Sequence, residues 1–469
     1  MMAHQRFTSA MQAVRLTMAR SPRTSVGVRR GGRRASLSSS TSGSRKPVFV
    51  DGARIPFAMS GTTYKDLLAV DLGKLALRGL LNRNPELDPK EIDYLLFGTV
   101  IQESRTSNIA REAGMGAGIP VSVPSHTVTQ ACISANQAMC NAAEKVLAGT
   151  ADIVLAGGVE TFSDLPIRFS RPIRNRLINL GKAQKKGLPG ILGLLKGLKF
   201  KDIAPETPAI ANYTTGEVMG HSSDRLSGRF GISRQDQDEF ALRSHQNAAR
   251  AHADGIYDQE IIPVDGSTVE NGVKGESTLE KLGSLKPAFV KPHGTHTAAN
   301  SSFLSDGASA ALIMSEGRHV ALEMGLKPRS SFKSWTFVAV DPFEDLLLGP
   351  AFGAAKVLDA AGLTLDDIDV FEIHEAFAGQ VLSNLAAMDS NAFAQESMGR
   401  NAKLGSVPLD KLNVHGGSLS LGHPFGATGV RLVATATNRL HREDGRYALV
   451  AACADGGLGH ACIVERYDN

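Results

Sequence analysis

From Pro47 onward, hydrophobic and polar positions alternate between two periods. Short apolar runs of strand length, such as PVFV, DYLLFGTV (93–100) and ADIVLAGGVETF (151–162), are separated by longer Ala/Leu-rich stretches. In DLLAVDLGKLALRGLLNR (66–83), Leu67, Leu68, Leu72, Leu75, Ala76 and Leu80 recur at helical spacing. Residues 133–148 likewise predict a helix, ending at Gly149. Strands alternating with helices predict an α/β fold. Two of the strands run out at Gly, where an open parallel sheet usually hands its ligand site to a loop.

The pattern repeats. LDPKEIDYLLFGTV (87–100) is echoed by LTLDDIDVFEIHEAF (363–377), each running from an Asp-rich cap into a strand. The helix of 133–148 followed by DIVLAGGVE is echoed by GVRLVATATNRL followed by YALVAACADGG. Because the echoes keep their order, the chain reads as two duplicated halves, 47–320 and 321–469. A stretch of different character, about 161–295, lies inserted in the first. Within it, Leu165 to Lys201 holds ten Lys/Arg and no acid. There KKGLPGILGLLKGLKF sets Ile191, Leu192, Leu194, Leu195, Leu198 and Phe200 among lysines. Such a piece is too short and interrupted to span a bilayer, but suits its interface. A lid over the site or a surface for a partner subunit is the alternative.

Composition changes the picture at the N-terminus. Residues 1–46 hold nine Arg, one Lys, nine Ser and no acid, so the formal +4 of the whole chain hides a net −6 for 47–469. An Arg- and Ser-rich, acid-free leader predicts a mitochondrial transit peptide, with MQAVRLTMAR as its amphipathic helix. The bland reading is a disordered basic tail for nucleic acid or lipid. Elsewhere 42% apolar and 21% charged residues are ordinary for a globular protein. Four cysteines, Cys132, Cys140, Cys453 and Cys462, are too few and too spread for a disulfide framework. None has CxxC spacing, so no metal site is expected.

Four segments carry chemistry: Cys132 in QACISAN, His374 in HEAFA, His423 in GGSLSLGHPFGATG and Cys453 in CADGGLG. Small flanking residues let backbone N–H groups converge on one carbonyl oxygen. Two thiols and two imidazoles in such settings suit acyl transfer through a covalent thioester. Cys132 precedes a helix, whose positive end is expected to lower a thiol pKa from ~8.5 into the ~3.5–7.5 range. His423, in a Gly-bounded turn, can take a thiol proton or donate to an oxygen gaining charge. Cys453 ends a strand and opens onto a loop whose N–H groups, from Asp455, can form an oxyanion hole. Cys140, along the same helix as Cys132, reads as a packed core residue.

These segments, together with DGARIPF, LAGGVE, the stretch from Met219 to Ala248 and TAANSSFLSDGASAALIM, resemble the thiolases over essentially all of 47–469. The resemblance implies a five-layer αβαβα fold of two similar halves with an inserted loop domain. It also implies cleavage of a 3-ketoacyl-CoA by CoA, a co-substrate and not a bound cofactor. By the same resemblance Cys132 is the acylated nucleophile, His423 its activator, and Cys453 the acid/base for the acetyl-CoA leaving group. The N–H groups of Cys132 and Asp455 form an oxyanion hole, and Ser302 and Met219 contact the pantetheine arm. Phe303 stands where many members have Gly. Most members carry Asn at the position of His374, and many carry Asn or a similar residue at that of His415. His374 and the basic insert at about 165–205 resemble a long-chain branch of the family. There the thiolase, a homodimer in a hetero-oligomer, works bound to an α subunit with hydratase and dehydrogenase activities. That branch implies the matrix face of the inner mitochondrial membrane, with anionic lipid met by the insert, and no specific nucleic acid. The alternatives are a condensing enzyme, against which Cys453 argues, and a silent scaffold tethered to membrane or RNA.

Overall fold

The computed structural model describes residues 45–319 and 325–468, which lie in one compact unit, Ser42–Asn469. The expected transit peptide therefore falls, but for its last two residues, outside the described residues. The expected boundary between halves at 320 and 321 does so too.

In the first half the order is β1 (Pro47–Arg54), α1 (Ala69–Arg83), β2 (Tyr94–Gly98), α2 (Ile109–Ala117), β3 (Ser125–Val128), α3 (Ser134–Leu147), β4 (Ile153–Glu160) and β5 (Ser305–Ser315). Between β4 and β5 come α4 (Arg171–Ile178), α5 (Leu180–Gln184), α6 (Gly187–Leu195), α7 (Met219–Arg229) and α8 (Arg234–Ala253). The second half runs β6 (Ser330–Ala339), α9 (Gly349–Ala361), β7 (Val370–Ile373), α10 (Ala378–Met388), α11 (Thr428–Arg442), β8 (Tyr447–Ala454) and β9 (Leu458–Arg466). Local chemistry sets several ends. Asn108 caps α2 by accepting from Arg111 N–H, Gly118 closes it at φ +100°, and Ser233 with Asp236 forms a capping box on α8.

The strand order is β3-β2-β4-β5-β1-β6-β9-β8-β7. In the first half β2 pairs in parallel with β3 and β4, while β5 is antiparallel to β4 and β1. The second half repeats this order. Its β7 is parallel to β8, β9 is antiparallel to β8 and β6, and a parallel bridge from Phe371 to Leu412 stands where β3 stood. The two meet where Val48 and Phe49 pair with Ser331 and Ser330. Both sequence echoes fall on matching elements, the caps before β2 and β7 and the pairs α3–β4 and α11–β8. The duplication is a repeated topology.

Three apolar cores separate the layers. Leu72, Leu77 and Ile109 of α1 and α2 pack on Leu95 and Phe97 at one outer face. Met139 and Val146 of α3 pack with Val430, Val433 and Leu440 of α11 between Leu96 on one side and Val450 on the other. Val357, Leu358 and Val381 of α9 and α10 cover Phe371 and Ile373 at the other outer face. The result is the expected five layers, α/β/α/β/α. Each fully buried Leu, Ile or Val here stabilises by about 1.5–3 kcal/mol. The central helices touch at their first turns, where a Cβ on Gly429 would lie 2.6 Å from Asn136 N. That glycine-permitted approach sets the start of α3, after Cys132, beside the start of α11, after His423.

Candidate active site

Cys132 occupies the turn between β3 and α3. The residue before it, Ala131, has φ +44°, an uncommon conformation for a residue with a Cβ. Ser134 braces this turn, its Oγ accepting from Gln130 N–H at 2.8 Å and donating to Ala131 O at 2.7 Å. Cys132 keeps part of its surface open, and its sulfur accepts the backbone N–H of Asp455. Burial nevertheless pushes the thiol up to about 12, with the carboxylates of Asp455 and Glu160 acting the same way. The expected lowering by the helix N-terminus is thus overturned. Withdrawal of the sulfur from water outweighs the helix end and the backbone N–H groups of Asp455 and Cys132 itself. The resting sulfur is a thiol, and a base must take its proton.

Cys453 is the penultimate residue of β8 and is buried. Burial raises its thiol first, and the neighbouring Cys132 adds to the rise. The two cysteines share one site although 321 residues separate them. The next loop turns on Gly456 (φ +86°) and Gly457 (φ +74°), and the Asp455 carboxylate accepts from Asn212 Nδ2 at 2.8 Å and from Gly456 N–H at 2.7 Å.

The imidazoles form a second pair. His374 follows β7 and His423 follows Gly422, whose φ of +102° a glycine adopts without strain. Their Nε2 atoms lie 3.1 Å apart and their ring centroids 4.0 Å apart. His423 is held by its N–H to Ser305 Oγ (2.9 Å) and by Nδ1 against Thr428 Oγ1 (2.7 Å), with Phe425 beside its ring at 4.7 Å. His374 Nδ1 faces Ser418 Oγ at 3.1 Å, and Ser418 Oγ accepts from Arg431 Nη2 at 3.1 Å. Burial drives His423 down to about 3 and His374 well below the usual range; the Arg431 guanidinium lowers both further. Both rings are neutral at physiological pH.

Glu160 ties the pairs together. It is buried at the end of β4 and accepts from the N–H groups of Val100, Ile101 and Gly426 and from Thr99 Oγ1. Burial lifts its carboxyl to about 7 against those donors. Gly426 can approach because its neighbour on β4 is Gly158.

Ser302 and Met219 flank the HEAFA segment. Ser302 N–H donates to Ala376 O at 2.9 Å, and Met219 opens α7 and packs against the core that contains Phe377. The Phe303 ring lies over Gly422 and Gly272, filling space beside the His423 turn. His415 lies apart from the imidazole pair, with Nε2 accepting from Arg442 at 3.2 Å. Cys140 is buried beside His460, 3.4 Å from its Nε2. No cluster able to hold a metal occurs among the described residues.

Sequence reasoning passed over Ser418, Thr428, Arg431, Glu160 and Asn212. One signal was available: Arg431 interrupts the apolar and small residues of the first half of α11, 428–436, and such a charge is buried only with partners.

Comparisons with known proteins bear on the family and the fold. The profile "Thiolase, N-terminal domain" matches residues 47–317 and "Thiolase, C-terminal domain" matches 326–466. The mouse "Trifunctional enzyme subunit beta, mitochondrial" is 55% identical, over 90% of this chain and 88% of its own. A "Probable 3-ketoacyl-CoA thiolase" of Caenorhabditis elegans is 53% identical, over 90% and 94%. The crystal structure of human mitochondrial 3-ketoacyl-CoA thiolase in complex with CoA superposes with a TM-score of 0.76 at 28% identity, over 90% of this chain and 98% of that one. With both domains matched in order on a duplicated five-layer fold, the chain belongs to the thiolase family.

Proposed function

We propose that this chain is a long-chain 3-ketoacyl-CoA thiolase, cleaving its substrate with CoA to acetyl-CoA and a shortened acyl-CoA in mitochondrial fatty-acid β-oxidation. The observation that carries the reading is the pairing of Cys132 with Cys453 at one site, with the Asp455 N–H on the Cys132 sulfur. A single thiol can form a thioester, whereas carbon–carbon cleavage also needs an acid for the departing carbanion.

In this reading His423 takes the Cys132 proton and the sulfur attacks the 3-keto carbon. The C2–C3 bond breaks, its electron pair passes to C2, and Cys453 supplies the proton that completes acetyl-CoA. Cys453 then takes the proton of incoming CoA, whose sulfur attacks acyl-Cys132 and frees the nucleophile. The N–H groups of Cys132 and Asp455 stabilise one oxyanion and the His374–His423 pair the other. Ser302 and Met219 contact the pantetheine arm.

The same reading places the enzyme on the matrix face of the inner mitochondrial membrane, as a homodimer with an α subunit carrying hydratase and dehydrogenase activities. The likeness to the mouse β subunit supports this. So does the insert, where Ile178 is 78%, Leu188 68% and Phe200 92% exposed among lysines. No helix among the described residues is long and apolar enough to cross a membrane, so contact is interfacial.

The test is incubation with a long-chain 3-ketoacyl-CoA without CoA, followed by peptide mass spectrometry. Acyl mass on Cys132, lost in Cys132→Ala, is expected. An adduct confined to Cys140, or none, overturns the assignment.

A further inference from the structure

The two imidazoles that face each other at the site cannot be interchangeable. A hydrogen bond between His374 Nε2 and His423 Nε2, 3.1 Å apart, requires one nitrogen with a proton and one without. Which is which follows from groups outside the pair. Arg431 is a donor only, and its Nη2 donates to Ser418 Oγ at 3.1 Å. The Ser418 hydroxyl proton has one acceptor within reach among the described residues, His374 Nδ1 at 3.1 Å. His374 Nδ1 is therefore bare, and its proton sits on Nε2. That N–H donates to His423 Nε2, which must be bare, so the His423 proton sits on Nδ1. There it meets Thr428 Oγ1 at 2.7 Å, whose own hydroxyl donates to Pro424 O at 3.1 Å. The far end of the chain accepts the assignment dictated at the near end.

We propose that Arg431 and Ser418 are positioning residues that lock His374 as the hydrogen-bond donor and leave His423 as the base. The inference rests on the thiolase reading above and deepens it. Neither residue touches the reacting atoms. Arg431 is buried, with Glu372 Oε2 3.5 Å from its Nη1, so its direction of donation is fixed. A carbonyl oxygen entering the site displaces the His374 N–H from His423 and receives that bond itself. The His423 Nε2 lone pair is then released to take the Cys132 proton. Thr428 holds the opposite His423 nitrogen, so the ring does not turn as it does so. Without the Ser418 hydroxyl, His374 can carry its proton on Nδ1. It would then present a lone pair to an oxygen gaining charge.

The experiment has two arms. In substrate-free enzyme labelled with ¹⁵N-histidine, and with H374N and H423N to assign the signals, His374 should show a protonated Nε2 and His423 a protonated Nδ1. The opposite pattern overturns the proposal, and this arm needs no altered relay residue. In the second arm S418A should lower kcat about tenfold while KM stays within about twofold, with the His374 signals redistributed between tautomers. In the H374N background, where no tautomer remains to be set, S418A should cost less than twofold. An equal loss in both backgrounds would show a merely structural role. Failure of the thiolase reading is distinguishable, because it appears as no acyl-Cys132 in the unaltered enzyme.

Discussion

Asn212, in the segment inserted between the two strands β4 and β5, donates its side-chain amide to the carboxylate of Asp455, 2.8 Å away in the loop that follows Cys453. The same Asn212 carboxamide oxygen accepts from the N–H groups of Thr214 and Thr215, so both ends of the side chain are engaged. Asp455 in turn places its backbone N–H on the Cys132 sulfur. The insert thereby steadies the loop that presents a donor to the nucleophile. Asn212→Ala removes three hydrogen bonds, each worth about 1 kcal/mol to the fold. It should lower kcat on the order of tenfold through the misplaced donor. Steady-state kinetics beside a thermal melt will separate these. An unchanged kcat would show that the loop holds its place unaided.

Cys453→Ser keeps a hydroxyl where the acid/base thiol stood, and an alcohol is a far weaker acid than a thiol. Attack by Cys132 does not need that proton, while release of acetyl-CoA and activation of CoA do. The variant is expected to lose turnover by at least a hundredfold and still acylate Cys132 when given an activated acyl thioester whose leaving group departs without a proton. Near-normal turnover would mean the second thiol is packing only.

Much of the site is legible in the sequence because its parts sit at element ends. Cys132 before α3, His423 before α11, His374 after β7 and Cys453 at the close of β8 were each marked by small residues beside a periodic run. The repeated topology was legible for a similar reason, since an Asp-rich cap and a strand leave a local pattern. The acidity of Cys132 was not. A helix start is visible in sequence, but the burial that outweighs it, and the Asp455 and Glu160 carboxylates that add to it, are assembled only by the fold. Ser418 and Arg431 escaped notice because a hydroxyl and a guanidinium acquire roles only through what they face. Asn212 lay in a segment with no motif at all.

His460 offers a test of burial away from the chemistry. Its Nδ1 lies 3.1 Å from Asn136 Nδ2 and its Nε2 3.4 Å from the Cys140 sulfur, and burial drives it down to about 3. The unfolded chain binds a proton at His460 near pH 6.5, whereas the folded one does so only near 3. Its contribution to stability is therefore complete above about pH 6.5 and falls as pH drops toward 3, by about 1.4 kcal/mol per pH unit. At pH 5, His460→Gln should reduce proton uptake on unfolding by about one proton. Unchanged uptake would mean that the ring is already charged in the fold.

The basic insert can be tested on lipid. Arg176 ties α4 to the end of α6 by donating to Leu194 O at 2.6 Å, so the apolar and cationic residues form one unit. Changing Lys185, Lys186, Lys196 and Lys199 to Gln should weaken binding to vesicles rich in anionic phospholipid by roughly fivefold per charge. Binding to zwitterionic vesicles, which samples only the apolar face, should change little. Equal binding of both proteins to anionic vesicles would leave the insert to a partner protein.

Gly158 tests how closely the two halves must meet for the site to exist. It lies in β4, facing Gly426 in the turn that carries His423. A Cβ built on Gly158 would sit on the Gly426 carbonyl oxygen and 2.8 Å from Gly98 O. Neither neighbour is a side chain that can swing aside. Gly426 N–H is meanwhile committed to Glu160 at 3.0 Å, so retreat of the turn would break that bond and move His423 with it. Gly158→Ala should therefore cost about 3 kcal/mol of stability as overpacking. Thiolysis should fall by more than the folded fraction does. An alanine tolerated with full activity would mean that the turn has slack, and that the separation between the His423 loop and β4 is not fixed by this glycine pair.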